Sequence, residues 1–510
     1  VKMLSAGVYV SELDFSFYAM ELASSIFGIV CTADKGPINE VTLITNENDL
    51  VSTFGPPNTS SYGLLSAIRY LRKGRALKVV RVAGYGYATA SASILNEYGY
   101  QALTVSATSD GSWGNDVAVR VAAGTSQGFN VTVYYQDGAV EAFNDVLLGP
   151  STNDYFIEKR INGVSKYITI TVVDATVGLA TGLSDLSGGD SGSTVTASDI
   201  VGVSSGSSKT GLKMFSNGET VDVNMLAVPG YDKMVDPADQ QDVLREGLLA
   251  TCDPAAGGRG DCVALISLPY GLTVQEAIDW HNGNLAGYLD QAINSSYAAL
   301  YWPYLNVFDS YSNSELWIPS EGSVAGICAF TDATRELWFA PAGLQRGRLQ
   351  DVLDIEYSPD LGQRDALYGG LSRINPFVNF EVDGIALWGQ QTAYRANSAL
   401  TSLNVRRLMN YVEKVSATAV RYLVFEPNDY ATWAQFRNIL DPVFRNIKSR
   451  RGFYDYRIIC DATTNTPARI DKGEMWGRIL VKPTRAAEKI AIEFAITATG
   501  ASFDEFATVA

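Results

Sequence analysis

The sequence predicts a multidomain protein: an α/β core domain interrupted by an all-β insert, then an α+β C-terminal domain, with extended N- and C-terminal arms. Three observations predict it. Early in the chain, continuous apolar runs of buried-strand type alternate with helical periodicity, the pattern of an α/β layer structure. From about residue 91 the texture changes to short runs of period two separated by turn residues, as in an all-β domain. The α/β texture then resumes beyond a Gly/Ser-rich stretch, and after Gly389 it gives way to mixed helix and strand. A length of 510 residues accommodates about three domains of ~150 residues each.

Residues 1–20 form the N-terminal arm, in which AGVYVSELD places Val8 and Val10 on one face of a short strand and Tyr9 on the other. The core domain takes residues 21–90 and 206–384. IFGIVCTA reads as a strand, SSYGLLSAIRYLRKG as a helix with Leu64, Leu65, Ile68 and Leu71 on one face and Gly74 at its end, and ALKVVRV as a second strand. The insert, residues 91–205, contains the strands NVTVYY and YITITVV and a hairpin signal, QDG, at 136–138. It ends in LSGGDSGSTVTASDIVGVSSGSSKTG, a loop or boundary. VNMLAVPG and CVALISLP resume the buried strands, and TVQE at 273–276 is a capping box for a helix reaching Trp280. In the C-terminal domain, residues 385–485, one helix carries Val405, Leu408, Met409, Val412 and Val415 on a face, and YLVF reads as a strand. A second helix starts near Asp429 with Trp433, Phe436, Ile439 and Leu440 inward, and Pro442 is expected to kink or break it. RILVKP and IAIEFAIT finish the chain as strands, the second opening the C-terminal arm, residues 486–510. In it Ile490, Ile492, Phe494 and Ile496 share one face. Such a strand is either docked in its own sheet or offered to another chain.

The net charge of −16 argues against general nucleic-acid binding. Its distribution is uneven. Residues 91–205 hold 4 basic and 12 acidic side chains, whereas 385–510 hold 17 basic and 12 acidic. This asymmetry fits either two solvated surfaces or a matched binding surface. No run approaches the ~18–20 apolar residues of a membrane span, and Glu12, Asp14 and Glu21 stand where a signal peptide would carry positive charge. Five scattered cysteines favour reduced thiols over a disulfide framework.

Catalytic motifs are weak. GDSGS at 189–193 matches the nucleophile segment of chymotrypsin-like proteases, but the one histidine, His281, follows Ser191 instead of preceding it. GVSSG at 202–206 fits a nucleophile elbow, and a Ser204–His281 dyad has a permitted order. Yet Ser204 lacks the flanking strand and helix that an elbow requires. The simpler expectation places His281 at the surface near a helix end. RGD at 259–261 is read as a surface turn. No zinc-ligand spacing, phosphate loop or dinucleotide fingerprint is present, so neither a cofactor nor a metal is expected.

Eight segments, in order, carry a resemblance. They are GVYVSE (7–12), TADKGPINEVTLITNENDLVSTFG (32–55), SWGND (112–116), LPYGLTVQEAIDW (268–280), YAALYWPYLNVFD (297–309), PSEGSVAGICAFTDATRELWFAPAG (319–343), NVRRLMNYVEK (404–414) and VFEPND (424–429). Together they resemble the tail sheath proteins of contractile-tailed bacteriophages, over nearly the whole chain. The resemblance implies a subtilisin-like α/β core, a β-rich insert facing outward, and a C-terminal domain near the tail axis. Subtilisin-like describes shape, and fold alone confers no protease activity.

The resemblance also implies a mechanical role: a helical sheath around a tail tube, which shortens and drives the tube through the host envelope. Its partners would be further copies of itself, the tail tube protein, and baseplate and terminator proteins, with no direct nucleic-acid contact and no membrane insertion. The expected location is the virion tail, after assembly in the host cytoplasm. With no nucleotide site visible, the stored energy would lie in the difference between two subunit packings. In the family, both arms add strands to a sheet of neighbouring C-terminal domains. Val8, Val10, Ile490, Ile492, Phe494 and Ile496 are therefore candidate junction residues. Arg445, Lys448, Arg450 and Arg451, clustered after a helix, are candidate contacts to an acidic tube, or simply a solvated helix end. A related contractile injection particle would have a similar sheath.

Overall fold

The computed structural model describes residues 25–60, 62–206 and 208–491. Its centre is an eight-stranded sheet. Six parallel strands lie in the order Leu77–Arg81, Phe27–Cys31, Met225–Ala227, Val263–Ser267, Ala298–Trp302 and Ile374–Phe380. Val41–Ile44 and Gly384–Leu387 add an antiparallel strand at either edge. The parallel strands are apolar along their lengths because both faces are covered: Phe27–Cys31, Val263–Ser267 and Ala298–Trp302 are buried at every position.

Alternate residues of one strand feed opposite layers. Phe27 and Ile29 pack beneath the helices α1 (Tyr62–Leu71) and, further along the chain, Glu321–Thr334. Val30 instead joins Leu226, Ile266, Leu244 and Trp280 on the other face, where α2 (Val274–Asn282) lies. The capping box of α2 forms as expected, with Thr273 and Glu276 each accepting from the other's backbone N–H. Helix α3 (Glu321–Thr334) crosses α1 so closely that a Cβ on Gly322 would lie 2.1 Å from the Ser66 carbonyl oxygen. Helix α4 (Leu361–Tyr368) lies against the strand Ile374–Phe380.

The β-rich part comprises two antiparallel sheets. One contains Ser91–Leu95, Gln101–Ala107 and Ile168–Val172; the other contains Gly182–Asp185, Val117–Ala123, Phe129–Tyr135 and Gly138–Val146. Leu103, Val105 and Ile170 from the first share a core with Val119, Val131 and Val133 from the second. The QDG turn is a two-residue hairpin, with Gln136 at φ 49° and Asp137 at φ 64°. Arg81, buried at the end of a core strand, donates to the carbonyl oxygens of Gly36 and Asp110 at 2.6 and 2.8 Å, tying this part to the core. The Lys35 ammonium lies 4.3 Å from the ring centre of Tyr167 and 4.7 Å from that of Trp113, a second tie.

Toward the C-terminus, α5 (Leu403–Val420) and α6 (Tyr430–Ser449) bury Leu408, Val412, Leu440, Phe444 and Ile447 with Phe453. Asp429 caps α6 by accepting from the N–H groups of Ala431 and Thr432. One expectation fails here, and so does the break, though not the kink, expected at Pro442. YLVF is not a strand: Arg421–Leu423 is a 3₁₀ turn between the helices, and Phe425 sits fully exposed at φ 74°. Nor does Pro442 break α6, which continues to Ser449. Proline removes one N–H donor, but Leu440, Phe444 and Ile447, all buried, hold that stretch on the core.

The C-terminal helices join the core through charged side chains. Arg407 of α5 meets Asp332 of α3 at 2.6 Å, each side chain only 5% exposed. Burial works against the guanidinium's charge, but the Asp332 carboxylate outweighs it and raises the pKa of Arg407. Lys414 binds Asp222 and lies 3.9 Å from Asp261. Arg406 stacks 4.4 Å from the ring centre of Tyr297.

Candidate intersubunit surface

Phe453–Ile459 and Arg478–Pro483 form a terminal hairpin, a two-stranded antiparallel sheet with Tyr456 opposite Val481 and Ile458 opposite Ile479. Two strands alone are marginal in water. Here the face bearing Tyr456, Ile458, Ile479 and Val481 packs on the α5–α6 core, and Tyr456 Oη donates to an Asp441 carboxylate oxygen at 2.8 Å. The opposite face carries Tyr454 and Leu480, 66% and 51% exposed. Each strand has one ladder partner, so among the described residues both outer edges offer backbone N–H and C=O groups. An open edge of this kind accepts a further strand.

The candidate junction residues lie mostly elsewhere. Val8, Val10, Ile492, Phe494 and Ile496 fall outside the described residues. Ile490 is described, and it is 80% exposed in a segment that has no strand structure. The expected strand therefore does not begin by residue 491. Instead, residues 484–489 line a groove of about 620 Å³ between the core and the C-terminal helices. Gln390 Nε2 donates to Glu488 Oε1 at 2.8 Å. Tyr368 also bonds Glu488; burial and this carboxylate raise the phenol's pKa.

The four basic candidates lie in the last turns of α6 and just beyond it, and three carry intramolecular partners. Arg445 pairs with Asp441 at 2.5 Å, Lys448 with Asp455 at 2.8 Å, and Arg450 with Glu336. Arg451, at φ 71°, is exposed and borders the groove. The cluster is thus largely balanced by carboxylates that a sequence scan does not place beside it.

The hydrolase constellation does not form. Ser204 is exposed on a short hairpin, Ser204–Ser205 with Ser208–Lys209. His281 is fully buried, contrary to the expected surface position, and its Nε2 lies 3.2 Å from the Leu371 carbonyl oxygen. Burial, then the nearby Arg395, lowers its pKa to about 4, so the ring is neutral. RGD is a partly buried turn closed on itself: Arg259 Nη2 donates to Asp261 Oδ2 at 2.9 Å and Nη1 to the Phe215 carbonyl at 2.8 Å. The flanking Cys252 and Cys262 are buried free thiols, Sγ atoms 3.2 Å apart. Among the described residues no helix is long and apolar enough to cross a membrane.

Sequence reasoning missed the strand Phe453–Ile459. FYDYRII alternates poorly because a bulge between Phe453 and Asp455 breaks its period. It also missed the role of Glu488, for which no local signal exists.

Fold and site together define a mixed α/β protein of several sheets whose terminal hairpin has, among the described residues, unfilled strand edges. Comparison with known proteins gives the family. Residues 24–82 match the tail sheath protein Gp18 domain III N-terminal region, 194–393 the phage tail sheath protein central domain, and 395–497 the phage tail sheath C-terminal domain. The tail sheath protein of Enterobacteria phage T4 is 31% identical over 373 residues, 70% of this chain and 53% of that protein. That of Vibrio phage KVP40 is 32% identical over 308 residues, 58% of this chain and 45% of that one. The chain spans about half the length of these curated relatives. In fold it is similar to the sheath tail protein of Desulfitobacterium hafniense, with TM-score 0.59 and 11% identity over 94% of this chain and all of that one. It is also similar to a contracted extracellular contractile injection system sheath, with TM-score 0.56 and 17% identity over 97% and 98% of the two chains. The chain belongs to the contractile phage tail sheath family.

Proposed function

We propose that this chain is the structural subunit of a contractile tail sheath, which polymerises helically around a tail tube and contracts to drive the tube through a host envelope. The observation that carries the reading is the terminal hairpin, whose two outer edges are open among the described residues, in the region that matches the sheath C-terminal domain. In this reading the arms of neighbours, residues 1–20 and 486–510, complete those edges. A heterologous contact of this kind extends into an open helix and does not close as a dimer. The core is subtilisin-like in shape only, and the role is mechanical, not enzymatic. Further copies, a tube protein and baseplate components are its partners, in a virion tail assembled in the host cytoplasm.

Deletion of residues 486–510, or Ile492→Asp, abolishes sheath-like tubes in negative-stain electron microscopy; normal tubes from either variant would sink the arm assignment. Arg450→Glu with Arg451→Glu weakens sheath-on-tube assembly and its salt dependence, although part of the loss at Arg450 comes from its pairing with Glu336. Unchanged assembly would leave these residues as a solvated helix end.

A second reading, the sheath of a related injection particle, draws on the whole-chain likeness in fold to such a sheath. The higher identity to phage sheaths favours the first, and the tube and baseplate genes beside this one would separate the two.

A further inference from the structure

The groove holding residues 484–489 has a composition that strand pairing does not explain. One wall comes from the turn after α3, with Trp338, Phe339 and Arg346; another comes from α4, with Arg364 and Tyr368; Trp388 and Arg451 complete it. The chain's own segment contributes Arg485 and Lys489. Five basic side chains therefore face two carboxylates, Asp365 and Glu488. None of the five forms an ion pair among the described residues, unlike Arg450 and Lys448 nearby.

Three of these cations are set by the walls themselves. Arg346 donates from Nε to the Ala340 carbonyl at 2.8 Å and lies over the Phe339 ring at 5.6 Å. Burial, and then the neighbouring Arg335, lower its pKa, as expected of a guanidinium lacking a counterion. Arg364 sits 5.7 Å from the ring centre of Phe380, its buried Nε without a hydrogen-bond partner. Arg451 is exposed at the rim. The groove is thus a cationic, aromatic-walled slot, and an acidic peptide with aromatic side chains satisfies both features.

The chain contains such a peptide. ASFDEFATVA, residues 501–510, places Asp504 and Glu505 between Phe503 and Phe506 and has no basic residue. From Ala491 to Phe503 is twelve residues, an extended reach of up to about 40 Å. The near side of the groove is already lined by the same chain leaving it, residues 484–489, which favours a donor from outside. We infer that residues 501–510 of one copy dock in the groove between the core and C-terminal helices of a second copy, with Asp504 and Glu505 against Arg346, Arg364 and Arg451. This places a second contact beyond the hairpin edge, and it rests on the reading of residues 486–510 as an intersubunit arm.

The test uses the full chain with p-benzoylphenylalanine in place of Phe503, made in heavy- and light-nitrogen forms, mixed, assembled and irradiated. Mass spectrometry should find mixed heavy–light cross-links to residues 338–346 or 361–368. Their yield should fall several-fold with Asp504→Lys plus Glu505→Lys, and recover when that variant is combined with Arg364→Glu plus Arg451→Glu. Arg451→Glu alone, at an exposed position, should lower the yield even if Arg364→Glu fails to fold. Mixed cross-links confined to residues 455–483, none of which lines the groove, would overturn the groove contact while leaving the arm reading in place. Cross-links only within one copy, or none, would overturn both.

Discussion

The junction between α5 and the core and the terminal hairpin use opposite physics within one C-terminal region. At the junction charges meet partners of opposite sign or an aromatic ring. Arg407 and Asp332 are buried together, Lys414 reaches Asp222, and Arg406 lies over the Tyr297 ring. At the hairpin, backbone groups on both edges stay open among the described residues, and Tyr454 and Leu480 are exposed. A buried ion pair resists rearrangement because removing one partner strands the other. An open edge invites a partner. The contrast separates what keeps the chain in one piece from what leaves it able to take a partner strand, as the proposed sheath role requires.

The contrast can be broken from either side. The largest effect on folding belongs to the junction: Asp332→Ala leaves the Arg407 guanidinium buried without its carboxylate and costs about 3–5 kcal/mol, read from urea unfolding. A loss below about 1 kcal/mol would mean that water reaches the pair, as at an exposed ion pair. Next is acid sensitivity. His281 is neutral in the folded state down to about pH 4, whereas its unfolded value is near 6.5. Stability is therefore lost as pH falls through that window, because only the unfolded chain takes up the proton. His281→Leu flattens the slope of unfolding free energy between about pH 6.5 and 4, and an unchanged slope would show that other groups set the acid limb. The smallest effect on folding is at the hairpin. Leu480→Lys changes unfolding free energy by no more than ~0.5 kcal/mol, as at an exposed site, yet reduces polymer formed at a given concentration in sedimentation. Equal polymer yield would remove the outward face from the assembly surface.

The core was legible because its signals are local. Buried parallel strands read as continuous apolar runs, and Thr273 with Glu276, or Asp429 alone, marks a helix start by side-chain chemistry. What stayed hidden depends on distant partners. His281 is buried because the backbone at Leu371, 90 residues away, closes over it. The basic run ending at Arg451 looks free until Glu336, Asp441 and Asp455 are brought beside it. YLVF has strand-like composition, yet it lies where one helix must hand over to another, and tertiary placement overrides propensity there. The groove around Glu488 joins residues from 338 to 489, and no window of sequence contains it.

The large sheet has rims too, and they are guarded. Gly384–Leu387 is only four residues long, and its free side is taken by the loop at 343–349: Leu387 donates to the Gly347 carbonyl, and Gly343 and Leu349 donate to the carbonyls of Leu387 and Ile385. Val41–Ile44, at the far rim, is equally short. Crowded copies of this chain therefore find poor templates on the main sheet for mispairing.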